Sequence, residues 1–339
     1  MRVFVTGGCG FIGSNFVRLL LEERPDWDVV NYDLLTYAGN AENLAGHEDN
    51  PRHHLVRGDV ADAPHVLAAM KGADAVVHFA AESHVDRSIL DSGPFVRTNV
   101  IGTQVLLDAA LQLGIGRYIQ ISTDEVYGAL TPDEPPFTET TPLSPRNPYS
   151  ATKAGADCLA LAYYETHKLP VMVTRCPNNY GPRQFPEKLI PLMILNALAD
   201  EPLPVYGDGM QMRDWIHVLD HNRAILTVLE KGTPGNVYHV GAENQQYNMD
   251  VVKMILRELN KPETLIRHVE DRKGHDRRYA MALGKLRDEL HWHPRISFEQ
   301  GLADTIAWYL NNRSWWENIR SGAYMVYYEK QYGSRLEVK

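Results

Sequence analysis

The chain has 339 residues and a formal charge of −9, from 34 Lys and Arg against 43 Asp and Glu, which argues against a nucleic-acid binder with its basic footprint. With 44% apolar residues, 25 Gly and 20 Pro, it suits one large globular domain or two unequal ones, not a disordered or fibrous chain. Cys9, Cys158 and Cys176 lie far apart without a C-x-x-C spacing, and no apolar run approaches the roughly 18–20 residues of a membrane span, so a cytoplasmic protein with no disulfide framework, metal or signal peptide is expected.

In chain order, β-rich runs occur at residues 3–6, 29–32, 54–56, 75–79, 118–122 and 171–174, with helical spacing between most of them. This alternation predicts an α/β fold, a doubly wound parallel sheet covered on both faces. Helices predicted over 95–113 and 149–167 carry apolar or small residues around most of their circumference, so one side should pack on the sheet and the other could meet a partner subunit. The Pro-, Thr- and Glu-rich segment 130–148 between them predicts a loop. Beyond about residue 177, Pro-rich turns mark a second, smaller region. A further strand at 237–240 predicts that the two regions interleave.

The first strand runs into Gly7-Gly8-Cys9-Gly10-Phe11-Ile12-Gly13, a glycine-rich turn that opens a helix. Such glycines permit a tight turn and close approach of a pyrophosphate, whose charge the helix N-terminus favours. Asp33 ends the second strand, 20 residues after Gly13, where an acid can accept from adenosine ribose hydroxyls. Leu34-Leu35-Thr36-Tyr37 offers no cation for a 2′-phosphate, so NAD is expected over NADP. After the third strand, Asp59 could meet the adenine amino group or cap the next helix, and both readings stand open.

Ser122-Thr123-Asp124-Glu125-Val126-Tyr127-Gly128 ends the fifth strand, the side on which open α/β sheets bind ligands. Two consecutive carboxylates there suit acid/base work if their surroundings split their pKa values, although exposed loop acids or caps are the commoner fate of such pairs. Tyr149-Ser150-Ala151-Thr152-Lys153 sets a phenol and an ammonium on one helix face. A neighbouring cation favours the phenolate over its usual pKa of ~10, so the pair can supply a base. Tyr164 and Lys168 repeat the spacing but lie ~22 Å further along the axis at ~1.5 Å per residue, too far to serve the same site.

Together these motifs resemble the extended short-chain dehydrogenase/reductase family, and within it the dTDP-glucose 4,6-dehydratases, where Asp-Glu replaces the small residues usual in simple epimerases and reductases. The likeness continues through Thr36-Tyr37-Ala38-Gly39-Asn40, Ala80-Ala81-Glu82-Ser83-His84-Val85-Asp86-Arg87-Ser88, Asn178-Asn179-Tyr180-Gly181-Pro182 and Phe185-Pro186-Glu187-Lys188-Leu189-Ile190-Pro191. It extends to Arg213-Asp214-Trp215 and Gly274-His275-Asp276-Arg277-Arg278-Tyr279.

The resemblance implies an NAD-binding unit over 1–176, with returns near 214–242, and a mainly nucleotide-sugar-binding one over 177–339. NAD would lie against Gly7, Gly10, Phe11, Ile12, Gly13, Asp33, Leu34, Thr36, Asp59, Val60, Phe79, Ala80, Ala81, Thr98, Tyr149, Lys153 and Asn179. The substrate, dTDP-glucose, would be held by Glu82, Ser83, Thr123, Asn178, Glu187, Lys188, Leu189, Pro204, Tyr206, Arg213, Asn248, Arg272, His275 and Tyr279. In the implied chemistry Tyr149, its pKa lowered by Lys153 and the nicotinamide charge, takes the C4 hydroxyl proton as hydride passes to NAD, and Thr123 hydrogen-bonds that hydroxyl. Glu125 then removes the C5 proton while Asp124 protonates the departing C6 hydroxyl, and hydride returns to C6. A UDP-glucose 4,6-dehydratase is the nearest alternative, ahead of a 4-epimerase or reductase, neither of which needs paired acids. The family's homodimer forms through a four-helix bundle, to which helices near 95–113 and 149–167 would contribute. Leu34, Pro177 and Lys273 depart from the family's usual Lys, small polar residue and Pro.

Overall fold

In the computed structural model, which describes residues 1–271, 275–320 and 328, the β-rich runs of the first half pair into one parallel sheet. They are β1 (Arg2–Thr6), β2 (Asp28–Asp33), β3 (His53–Arg57), β4 (Ala75–His78), β5 (Arg117–Thr123) and β6 (Val171–Cys176). The chain then leaves through β7 (Asn178–Tyr180), β8 (Leu203–Tyr206) and β9 (Met212–His217) before β10 (Val237–His239) returns to pair with β6. Among the described residues the order is β10-β6-β5-β4-β1-β2-β3. β1 therefore has β2 on one side and β4 on the other, and the turns leaving β1 and β4 diverge over a crevice at their carboxyl ends.

Alternating side chains explain the layers. Val3 and Val5 face the helices Phe11–Glu23 and Val218–Lys231, packing with Phe16, Leu20, Ile225 and Leu229. Phe4, between them, faces the opposite layer with Leu106, Ala110 and Ala160. β4 and β6 are buried along their whole length, the pattern of strands covered on both faces, while edge strand β3 leaves Leu55 exposed.

Two helix boundaries differ from expectation. The first long helix begins at Gly93 and passes through a π-helical stretch, Val96–Ile101, before the α-helix Gly102–Leu113, an irregularity that hydrophobic periodicity does not register. The second, Pro148–His167, takes Pro148 from the expected loop as its first residue, where proline's missing N–H does no harm. Asn147 caps it in a capping box with Ser150. Burial around both helices is incomplete within one chain, since Val96, Ile101, Ala151 and Cys158 are exposed.

In the second region β11 (Gln245–Tyr247), β9 and β7 form a three-stranded sheet, and β8 pairs with β12 (Ile266–Val269). Helices Leu189–Leu198, Asn248–Glu258, Phe298–Asn311 and Arg313–Arg320 share a core with them that includes Met193, Ile194, Leu203, Ile255, Leu302 and Trp315. Loop residues Leu130 and Phe137 bridge to Arg278 and Met281, which ties the two regions beside the crevice. Among the described residues no helix is long and apolar enough to cross a membrane.

Candidate active site

The glycine-rich turn closes tightly. Gly10 N donates to Gly7 O at 3.1 Å, and Gly7 has φ +70°, a left-handed conformation that favours glycine. A Cβ at Gly13 would stand 2.2 Å from Gly7 O, so this close packing of the helix on the turn admits no side chain. The helix Phe11–Glu23 begins at Gly10 with no side-chain cap, leaving its first amides beside the cavity that Gly10, Phe11 and Ile12 line. Asp33 fixes the turn to β2: its Oδ2 accepts from Cys9 N at 2.9 Å and its Oδ1 from Leu35 N at 2.8 Å. Burial raises the Asp33 pKa against the pull of these two amides.

Asp59 is not the cap of the next helix, whose cap is Asp62, accepting from His65 N at 3.2 Å. Asp59 instead accepts from Ala61 N and from Arg97, both at 2.8 Å. Burial works upward on it, but these two donors prevail and lower its pKa.

At the end of β5, Thr123 caps the 3₁₀ turn Asp124–Tyr127, accepting from Glu125 N at 3.3 Å and donating to Asp124 Oδ1 at 3.2 Å. Asp124 is 2% exposed, and its Oδ2 has no hydrogen-bond partner among the described residues. Burial first, then the charge of Glu125, raises its carboxyl well above the usual range, although Arg213 pulls the other way. Glu125 is only partly buried and receives a 3.4 Å hydrogen bond from Asn147 Nδ2. Two adjacent acids thus sit in unlike surroundings, one fit to hold a proton and the other to accept one.

Tyr149 enters the same wall from the second turn-forming position of its helix, and Lys153 follows one turn later, its Nζ donating to Ile121 O at 2.6 Å. The expected lowering of the Tyr149 pKa is reversed in the protein by itself. Burial and then the Glu125 charge raise it well above 10.0, with only the Thr123 hydroxyl pulling down. Lys153 is shifted downward by burial, which Asp157 opposes. Tyr164 and Lys168 belong elsewhere: the Lys168 ammonium lies 5.3 Å from the Tyr164 ring at the helix C-terminus, and Tyr164 packs against Gly235.

All of the residues expected around NAD line one cavity, together with Glu82, Ser83, Thr123, Asp124 and Glu125. A second lobe is lined by Pro204, Tyr206, Arg213, Asn248, His275 and Tyr279, and Ser83, Asn178, Glu187, Lys188 and Leu189 line both. Arg272 and the departing Lys273 lie outside the described residues. The adenosine-side wall of Asp33, Leu34, Thr36 and Asp59 contains no cation; the Lys residues lining the cavity are Lys153, bonded to Ile121 O, and Lys188, whose Nζ donates to Ser83 O at 3.1 Å. A glycine cradle with helix-end amides beside the cavity, and a nearby cation, Arg97, already bound to Asp59, fits NAD.

Between the lobes, Glu187 is held by Tyr37 Oη at 3.2 Å and Arg87 Nε at 3.4 Å, with His84 at 3.9 Å. Arg213 lies 4.4 Å from the Tyr279 ring and donates to Asp276 O at 2.8 Å. Asn147 and Trp215 also line the site, and neither is among the site residues expected from sequence. The signal for Asn147 was available: an Asx residue directly before Pro148 reads as a helix cap. Among the described residues no group of three or more His, Cys, Asp or Glu could hold a metal ion.

A family model described as GDP-mannose 4,6 dehydratase matches residues 4–305. The chain is 50% identical over 321 residues to a dTDP-glucose 4,6-dehydratase of Actinoplanes sp., covering 93% of this chain and 100% of that one. With the dTDP-glucose 4,6-dehydratase of Escherichia coli it shares 48% identity over 354 residues, covering 96% and 98%. Among solved structures, DesIV, a dTDP-glucose 4,6-dehydratase from Streptomyces venezuelae determined with NAD bound, superposes with a TM-score of 0.92 at 49% identity, covering 94% of this chain and 100% of DesIV.

Proposed function

Since the chain belongs to the nucleotide-sugar 4,6-dehydratases of the extended short-chain dehydrogenase/reductase family, we propose that it converts dTDP-glucose to dTDP-4-keto-6-deoxyglucose with NAD as its resident cofactor. The observation that carries this reading is the buried Asp124 beside the partly buried Glu125, on the cavity wall that Tyr149 also lines. An epimerase or reductase has no use for two adjacent acids in such unlike surroundings at that place.

NAD, when bound, supplies the acceptor and later the donor of the hydride exchanged with the sugar. Gly7, Gly10 and Gly13 would take its pyrophosphate, and Asp33 the adenosine ribose. Tyr149 removes the C4 hydroxyl proton, with Thr123 orienting that hydroxyl. Because burial and Glu125 hold Tyr149 high, its work as a base depends on positive charge reaching it from Lys153 and the bound cofactor. The 4-keto group acidifies C5–H; Glu125 takes that proton as Asp124 delivers its own to the departing C6 hydroxyl, and one water leaves. Around the nucleotide, Lys188 and Arg213 offer the cationic donors that a diphosphate needs. Arg272 belongs to the same set by resemblance.

A homodimer joined through the exposed faces near 95–113 and 149–167 is part of this reading, as is a cytoplasmic location. The test is mass spectrometry of the product. Loss of one water from dTDP-glucose, with NAD unchanged in amount, is expected, whereas a product of unchanged mass would identify an epimerase instead. Parallel kinetics with UDP-glucose assign the nucleotide. In single turnover, Asp124→Asn combined with Glu125→Gln should let NADH absorbance rise and persist; loss of the oxidation phase with elimination intact would sink the assignment of the acids.

A further inference from the structure

The glycine-rich turn is tied to a helix just over three hundred residues away. Asn43, 1% exposed, donates from Nδ2 to Cys9 O at 2.8 Å inside the turn, and its Oδ1 accepts from Trp315 Nε1 at 2.9 Å. Cys9 is held through both of its backbone groups: its N–H donates to Asp33 at 2.9 Å, and its carbonyl also accepts from Asn40 N at 3.0 Å. Arg18, on the helix that the turn opens, donates to Asn43 O at 2.8 Å. Asn43 is therefore fixed on three sides, and the indole N–H determines which way its amide faces.

Trp315 belongs to the helix Arg313–Arg320 and is packed in the core of the second region, 4.9 Å from the Trp308 ring and 6.2 Å from Tyr309. Its neighbours make related contacts to the same helix start. Arg183 lies 5.6 Å from the Trp308 ring and donates to Asn15 Oδ1 at 3.2 Å, and Asn15 donates to Phe11 O at 2.9 Å.

We propose that Trp315 is a positioning residue for the dinucleotide site, acting through Asn43 on the Cys9 peptide, so that the last described helix of the second region sets the shape of the turn that receives the pyrophosphate. The inference rests on the reading of that turn as the NAD site. Trp315 touches neither lobe of the cavity; it acts by holding an acceptor in place. If Asn43 rotated its amide, it would present an oxygen to Cys9 O and lose the bond.

The test is calorimetric titration of NAD into protein freed of nucleotide, with dTDP titrated separately as a control for the other lobe. Trp315→Phe keeps an aromatic ring among Trp308 and Tyr309 but removes the donor, and it should weaken NAD binding about three- to tenfold, the loss of one hydrogen bond, while leaving dTDP affinity unchanged. Asn43→Ala should weaken NAD more, and adding Trp315→Phe to it should have no further effect. Unaltered NAD affinity in Trp315→Phe, an equal loss of dTDP affinity, or an undiminished effect in the Asn43→Ala background would each overturn the proposal. Failure of the wild-type protein to bind NAD would instead overturn the reading beneath it.

Discussion

Asn147 joins the two sides of the candidate active site: its Oδ1 accepts from Ser150 N at 2.8 Å to start the helix that carries Tyr149, and its Nδ2 donates to Glu125 Oε2 at 3.4 Å. The residue that fixes where the phenol enters therefore also touches one of the acids.

Replacing Asn147 separates these duties. Asn147→Asp keeps a good cap but sets a second negative charge beside Glu125, so melting temperature should stay near that of the parent while elimination slows. Asn147→Ala loses the cap and about 1 kcal/mol of stability. Differential scanning calorimetry with single-turnover kinetics distinguishes the two; equal melting temperatures for both variants would deny the cap its role.

Asp124 makes a signed prediction about pH. Its folded pKa is raised above 3.8, so the native state holds this proton more tightly than the unfolded chain does. The contribution is complete below the unfolded pKa and is lost as pH rises through the raised value. Asparagine cannot ionise, so Asp124→Asn should gain stability relative to the parent between pH 5 and pH 8. A melting-temperature difference that does not change over this interval would mean that the carboxyl is ordinary.

Buried histidines act with the opposite slope. Burial, aided at His78 by the Lys153 charge, lowers His78 to about 3, and burial alone lowers His221 to about 3. Both stay neutral in the fold while the unfolded chain protonates near 6.5, so their contribution is complete above that pH and is lost as pH falls toward 3. For His221 the loss between pH 7 and pH 5 is about 2 kcal/mol. Asn179 Oδ1 lies 2.7 Å from His221 Nδ1, a contact that asparagine can reproduce. Urea unfolding of His221→Asn should therefore show a pH dependence shallower than the parent's by that amount.

The repeated Tyr-Lys spacing supplies an internal control. Tyr149→Phe should reduce turnover by about 100-fold or more, whereas Tyr164→Phe should stay within about twofold. Comparable losses in kcat from both would remove the reason for assigning the base to the helix start.

Much of the frame could be read from the chain because each strand is a short run of β-branched or aromatic residues closed by a turn, and the glycine-rich turn announces itself by residues that no side chain could replace. The paired acids were visible as a pair, but their inequality was not, since it comes first from the burial of Asp124 and then from the charge of Glu125, with Asp214, on a strand far away in sequence, adding to it and Arg213 beside it opposing. What opposes the phenolate at Tyr149 was hidden for the same reason: the spacing shows Lys153, while Glu125 and the burial, which raise the phenol in the protein without its cofactor, appear only in three dimensions. Pro204, Asn248 and Tyr279 come from separate elements that converge on one lobe, and nothing in their own chemistry marks them. The π-helical stretch left no trace in the hydrophobic pattern.

The late return of β10 governs what could be made of this protein by cutting it. A fragment ending at Cys176 would contain six of the seven strands found in the main sheet among the described residues, yet β6, buried along its entire length, would become an open border with a row of unpaired amides and carbonyls. Such a border recruits other chains, and the isolated half should self-associate. The cofactor-binding half is therefore not a transplantable cassette; grafting it into another scaffold would require carrying residues 237–239 along, or supplying a substitute strand to seal that flank.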